Sequence, residues 1–106
     1  MFGNDPHPLR EYIDELAETL PVVAAKLRTR IDLLAAEGTL SKSIECRHMG
    51  QGLWELKVRS KVGTHRIVFG ILEGMVLLLH AFTKKSKKTP KFELETARRR
   101  LKEVER

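Results

Sequence analysis

The chain has one cysteine, Cys46, in 106 residues, so it forms no disulfide within itself and no thiolate cluster around a metal. Long apolar runs are missing too. The longest, Met75 to Leu79, falls far short of the roughly 20 residues that a membrane-spanning helix needs. No apolar leader opens the sequence, and the expected compartment is the cytoplasm. The four histidines show neither His-x-x-x-His nor His-carboxylate spacing, so no metal and no cofactor is expected. Gly-rich phosphate loops, Walker motifs and the Ser, Cys or carboxylate signatures of nucleophilic enzymes are absent as well.

What the chain has in excess is positive charge, and it is unevenly divided. Residues 1–52 hold 6 Lys and Arg against 8 Asp and Glu, net −2, whereas residues 53–106 hold 14 against 6, net +8. Clustered cations displace counterions from a polynucleotide backbone, so the second half is the expected polyanion contact. Acidic membrane lipid would call for a Lys-rich amphipathic helix with exposed Trp or Phe; no segment reads so, and no membrane partner is expected.

The pattern predicts one domain over residues 1–106, of α+β class. His7-Pro8 starts a helix whose Leu9, Tyr12, Ile13 and Leu16 recur at helical spacing to about residue 18. Pro21 starts a second, with a stripe of Val23, Leu27, Ile31 and Leu34 and a stop at Gly38. From Ser43 the period falls to two, predicting four strands in an antiparallel meander. Trp54, Leu56 and Val58 share one face of the second strand, opposite Glu55, Lys57 and Arg59. Ile67, Phe69 and Ile71 lie opposite Arg66 and Val68 on the third, and Glu73-Gly74 makes a hairpin turn. Residues 75–83 are apolar on both faces, which predicts the most buried strand. Thr89-Pro90 then caps a closing helix with the stripe Leu94, Ala97, Leu101 and Val104 and a basic face of Arg98, Arg99, Arg100, Lys102 and Arg106.

Candidate functional residues follow from this layout. Arg59 and Arg66 lie on adjacent strands, away from the apolar side, where paired guanidinium groups can grip a phosphate. The alternative is an ordinary solvated face with Glu55 pairing one of them. Lys84, Lys85, Lys87 and Lys88 end the fourth strand as a cationic rim. Neighbouring ammonium charges favour loss of a proton from one of them, which suits proton transfer; a merely solubilising, RNA-attracting loop is the alternative. Phe82 shares parity with Lys84 and is a candidate stacking platform for a nucleobase, or else packs on the last helix. Trp54, in phase with Leu56 and Val58, reads as core. His80 reads as structural, and His65 is expected on the face opposite Arg66.

The segments LWELKVRS, HRIVFGILEG, LLLHAFTKKSKKTP and ETARRRLKE resemble the HigB-like, phage-derived branch of the RelE/ParE toxin superfamily over about residues 8–105. The resemblance implies a toxin of a type II toxin–antitoxin module, with a compact RelE-like sheet and two helices before it. Its implied activity is metal-independent, ribosome-dependent cleavage of mRNA, and its implied partner is an antitoxin, commonly a small helix-turn-helix protein. Carried onto this chain, it implies catalytic roles for Arg59, Arg66 and Lys84 and RNA binding by Lys57, Lys85, Lys87, Lys88 and Phe82. Relatives begin with a strand, which Met1 to Asp5 is too short to supply in full. A gyrase-directed toxin and a non-catalytic basic module that binds RNA or protein are the competing readings.

Overall fold

The computed structural model of the chain describes residues 8–84 and 90–105. Helices α1 (Pro8–Thr19) and α2 (Pro21–Glu37) precede the strands β1 (Glu45–Gly50), β2 (Leu53–Ser60), β3 (Gly63–Leu72) and β4 (Met75–Lys84), and α3 (Lys91–Glu105) follows. The α+β order of helical hairpin, four-stranded meander and terminal helix is the one the sequence predicts. Met1 to Asp5, expected to be too short for the full leading strand of relatives, the Thr89 cap and Arg106 lie outside the described residues.

Element boundaries have local causes. Pro21 sits in the first turn of α2, where a missing N–H goes unnoticed. Gly38 ends that helix at φ 81°, its N–H donating to the Leu34 carbonyl at 2.9 Å. Glu73 and Gly74 both adopt positive φ, 52° and 78°, the backbone that a two-residue hairpin demands.

The sheet runs β1-β2-β3-β4, antiparallel throughout. Alternation sends Leu56, Val58, Ile67 and Phe69 toward α1 and α2, where they meet Leu9, Leu16, Leu27 and Leu34. Leu53, Val68, Leu77 and Leu79 point the other way and meet Ala97 and Leu101 of α3. Each such leucine contributes about 1.5–3 kcal/mol by leaving water. Gly70 lets α3 come down onto β3: a Cβ there would lie 3.1 Å from Leu101 Cδ1, closer than packed carbons sit.

One expectation needs correction. The strand buried most completely is β3, whose residues 65–70 are all buried, while β4 is an edge of the sheet. Residues 75–83 are apolar on both sides because α1 packs on one face of β4 and α3 on the other. A bulge adds to this: Val68 pairs with His80 and Phe69 with Leu78, so Leu79 is an extra residue. Leu79 and His80 thereby both turn toward α3. Among the described residues, no helix is long and apolar enough to cross a membrane.

Candidate nucleic-acid interface

Because α3 packs on β3 and β4, the start of β1 and the end of β2 stay open on the same face. The register lays polar side chains across this face in rows. One row is Arg47, Glu55, Val68 and His80; the next is Glu45, Lys57, Arg66 and Phe82; the last is Arg59, Thr64 and Lys84. With strands about 4.8 Å apart, Arg59 and Lys84 stand about 10 Å apart at the backbone with Thr64 between them.

Arg59 is the open member of the set, its side chain 67 % exposed. Its guanidinium donates to Glu45 Oε2 at 3.0 Å, and Lys57 Nζ lies 3.8 Å from the same oxygen. Exposed pairs of this kind contribute about 0–1 kcal/mol, so an incoming phosphate can displace Glu45. Lys84 is half-buried at the end of β4. Lys85, Lys87 and Lys88, the rest of the expected rim, lie outside the described residues.

Arg66 departs from expectation. It faces away from α1 and α2 as its parity requires, but it is buried, 2 % exposed, and donates to Glu55 Oε1 at 2.7 Å. Glu55 is fully buried and also has Arg47 at 3.6 Å. The expected solvated face is buried here in the folded chain, where only a paired charge is tolerated. The residue opposite Arg66 is Lys57, not Arg59. Of the two arginines, only Arg59 is open to a ligand.

Phe82 is buried as well. At 8 % exposure it belongs to the core under α3 with Leu53, Val68, Leu79 and Ala97, and its ring stacks on His80 at 5.7 Å. The packing alternative holds, and the ring presents no platform to a base. Trp54 stacks on Phe69 at 6.3 Å on the α1–α2 face, as its parity predicts.

His80 fastens α3 to β4. A guanidinium can only donate, so Arg100, 3.0 Å from Nδ1, fixes that nitrogen as the acceptor, and Nε2–H donates to Glu93 at 2.7 Å. Both ring nitrogens are thereby occupied, which leaves none for a substrate. Arg100 also donates to the Leu79 carbonyl at 2.7 Å; desolvation, then the neighbouring Arg99, lowers its pKa from the usual value, with Glu103 opposing. Arg100 therefore leaves the solvated basic face expected for α3. Glu93 and Arg100 stand seven residues apart, two helical turns, so one flank of α3 carries both.

Sequence reasoning missed a polar cluster on the opposite face. His65, fully buried, has Ser60 Oγ 2.6 Å from Nε2, and Thr83 Oγ1 and Tyr12 Oη at 3.0 and 3.2 Å from Nδ1. Tyr12 and Thr83 also bond each other at 2.8 Å. The parity of His65 was legible, but its partners come from three other segments. Burial lowers the His65 pKa below 6.5, and this fixes a pH dependence. Above pH 6.5 both folded and unfolded chains carry it neutral. As pH falls below 6.5 the unfolded chain takes up a proton that the folded one refuses, so stability drops by up to about 1.4 kcal/mol per pH unit until the lowered folded value is reached. Urea unfolding near pH 7.5 and near pH 5 is expected to show the native chain losing more stability than His65→Gln; equal losses would mean that burial does not hold His65 neutral.

Burial also pushes the Cys46 thiol up to about 11, so it is no nucleophile at neutral pH. Among the described residues, no three His, Cys, Asp or Glu side chains gather as metal ligands.

The model of a family described as phage derived protein Gp49-like (DUF891) matches residues 11–102. Comparison with the curated proteins and with the solved structures gives no significant match.

Proposed function

Because the chain belongs to the phage-derived Gp49-like family, a RelE/toxin-like family associated with toxin–antitoxin toxins, we propose that it is an mRNA endoribonuclease that acts on the translating ribosome in the cytoplasm. The observation that carries this reading is the row Arg59–Thr64–Lys84, two cations flanking a hydroxyl on a rigid sheet, with Arg59 uncovered. Rigid, spaced cations suit a phosphodiester whose charge grows as it reacts.

In this mechanism the ribose 2′-oxygen attacks the adjacent phosphorus as its proton passes to a general base, the bond to the 5′-oxygen breaks, and that oxygen takes a proton from a general acid, leaving a 2′,3′-cyclic phosphate. Arg59 stabilises the phosphoryl oxygens, and Lys84 serves as the leading proton-transfer group. Lys57, Lys85, Lys87 and Lys88 hold the RNA backbone. Arg66 acts as a positioning residue: by pairing with Glu55 it ties β2 to β3 beneath the reacting row. An antitoxin, of the small helix-turn-helix kind, silences the toxin by covering this face.

Induction of the chain alone tests the reading. Growth is expected to stop, new mRNA 5′ ends to arise inside codons, and coexpression of an adjacent helix-turn-helix protein to restore growth. Arrest without new 5′ ends would contradict the nuclease reading and favour a gyrase-directed toxin or a binding module.

A further inference from the structure

A second cationic feature lies round the edge of the sheet. Strand β1 begins at Glu45, opposite Lys57, so the last three residues of β2 have no partner on that side. The gap opens a cleft of about 340 Å³ between α2 and the sheet edge. Among the described residues its charged lining is Lys26 and Arg30 from α2, Lys42 from the α2–β1 connection, Lys57 and Arg59 from β2, and a single carboxylate, Glu45.

Glu45 is already engaged by Lys57 and Arg59. Lys26, Arg30 and Lys42 make no ion pair among the described residues. The half of the chain that supplies them is net negative, yet three of its six basic side chains gather here. Lys26 and Arg30 stand four residues apart, so α2 presents them side by side. Like charges repel when placed so, and a cluster left without counter-charges is suited to receiving them from a ligand.

We propose that this cleft is a second binding site for the RNA phosphodiester backbone, continuous through Lys57 and Arg59 with the reacting row, so that a single strand turns from the open sheet face round the start of β1 onto α2. The proposal extends the nuclease reading, but it concerns binding and is tested without cleavage or ribosomes. The shared residues Lys57 and Arg59 make the path continuous: a phosphate that displaces Glu45 from Arg59 places its neighbour at the cleft mouth.

The test is binding of a single-stranded RNA of about 20 nucleotides to the purified chain across about 50–300 mM salt, with the slope of log affinity against log salt as readout. Each phosphate contact on a single strand contributes about 0.7 to that slope, so Lys26→Ala/Arg30→Ala/Lys42→Ala is expected to reduce it by about 2. Arg10→Ala/Arg28→Ala, which removes charges outside the cleft, is expected to leave it unchanged, with circular dichroism confirming that both variants fold. An unchanged slope in the triple variant, an equal fall in the control, or no RNA binding by the native chain overturns the cleft. Weakened antitoxin binding with the RNA slope intact also overturns it, in favour of an acidic protein segment. Loss of the cleft leaves ribosomal cleavage to stand or fall on its own assay.

Discussion

Replacing Arg66 with alanine is expected to destabilise the protein by about 3–5 kcal/mol, because it removes a hydrogen-bonded cation from beside a carboxylate that is fully inside the fold. Glu55 has no exposed surface and its Oε1 lies 2.7 Å from the Arg66 guanidinium. Arg47 also approaches that oxygen, at 3.6 Å, but it is half-exposed and makes the weaker of these two contacts. For a chain of this size each kcal/mol moves the unfolding midpoint by about 4 °C, so the fall is on the order of 15 °C. The paired change Glu55→Leu/Arg66→Met is expected to cost little or to stabilise, since it removes both charges together. A midpoint within about 4 °C of the native one in Arg66→Ala would show that the pair contributes little. Loss of toxicity in Arg66→Ala is therefore no sign of a direct role unless folded protein is measured alongside.

Arg59→Ala and Lys84→Ala should behave in the opposite way. Arg59 is mostly exposed and, among the described residues, pairs only with Glu45 at the surface, and Lys84 sits at a strand end, so each unfolding midpoint is expected to stay within about 4 °C of native. Each single-turnover cleavage rate on programmed ribosomes is expected to fall about 10²–10³-fold, the loss typical of removing one group that stabilises or protonates a charged transition state. A native rate in either variant would remove that residue from the mechanism.

The contrast between Arg59 and Arg66 marks how far the sequence could be read. Period and turn chemistry were enough for every element, since Gly38, Glu73-Gly74 and the alternation of residues 53–60 act locally. Parity correctly put Arg66 and Lys57 away from the apolar side and Phe82 in phase with Lys84. What parity cannot say is whether a face is wet. The apolar stripe of α3 implied a covered surface somewhere, and Val68 between Arg66 and Gly70 was the clue that it was this one. The bulge at Leu79 gave no sequence signal, yet it turns His80 toward Glu93 and Arg100. The basic cleft was invisible for a different reason: Lys26, Arg30 and Lys42 become neighbours of Arg59 only because β1 starts late.

The central claim, RNA cleavage by 2′-oxygen attack over a row of side-chain cations, is tested most directly by the chemistry of the product ends. A defined mRNA on programmed ribosomes, cut by the purified chain, is to be mapped at both new termini. Attack by the 2′-oxygen leaves the phosphate on the upstream fragment, so 2′,3′-cyclic phosphate or 3′-phosphate ends and 5′-hydroxyl ends are expected. Products with 3′-hydroxyl and 5′-phosphate ends would mean that water is the nucleophile, and the roles given to Arg59 and Lys84 would be wrong.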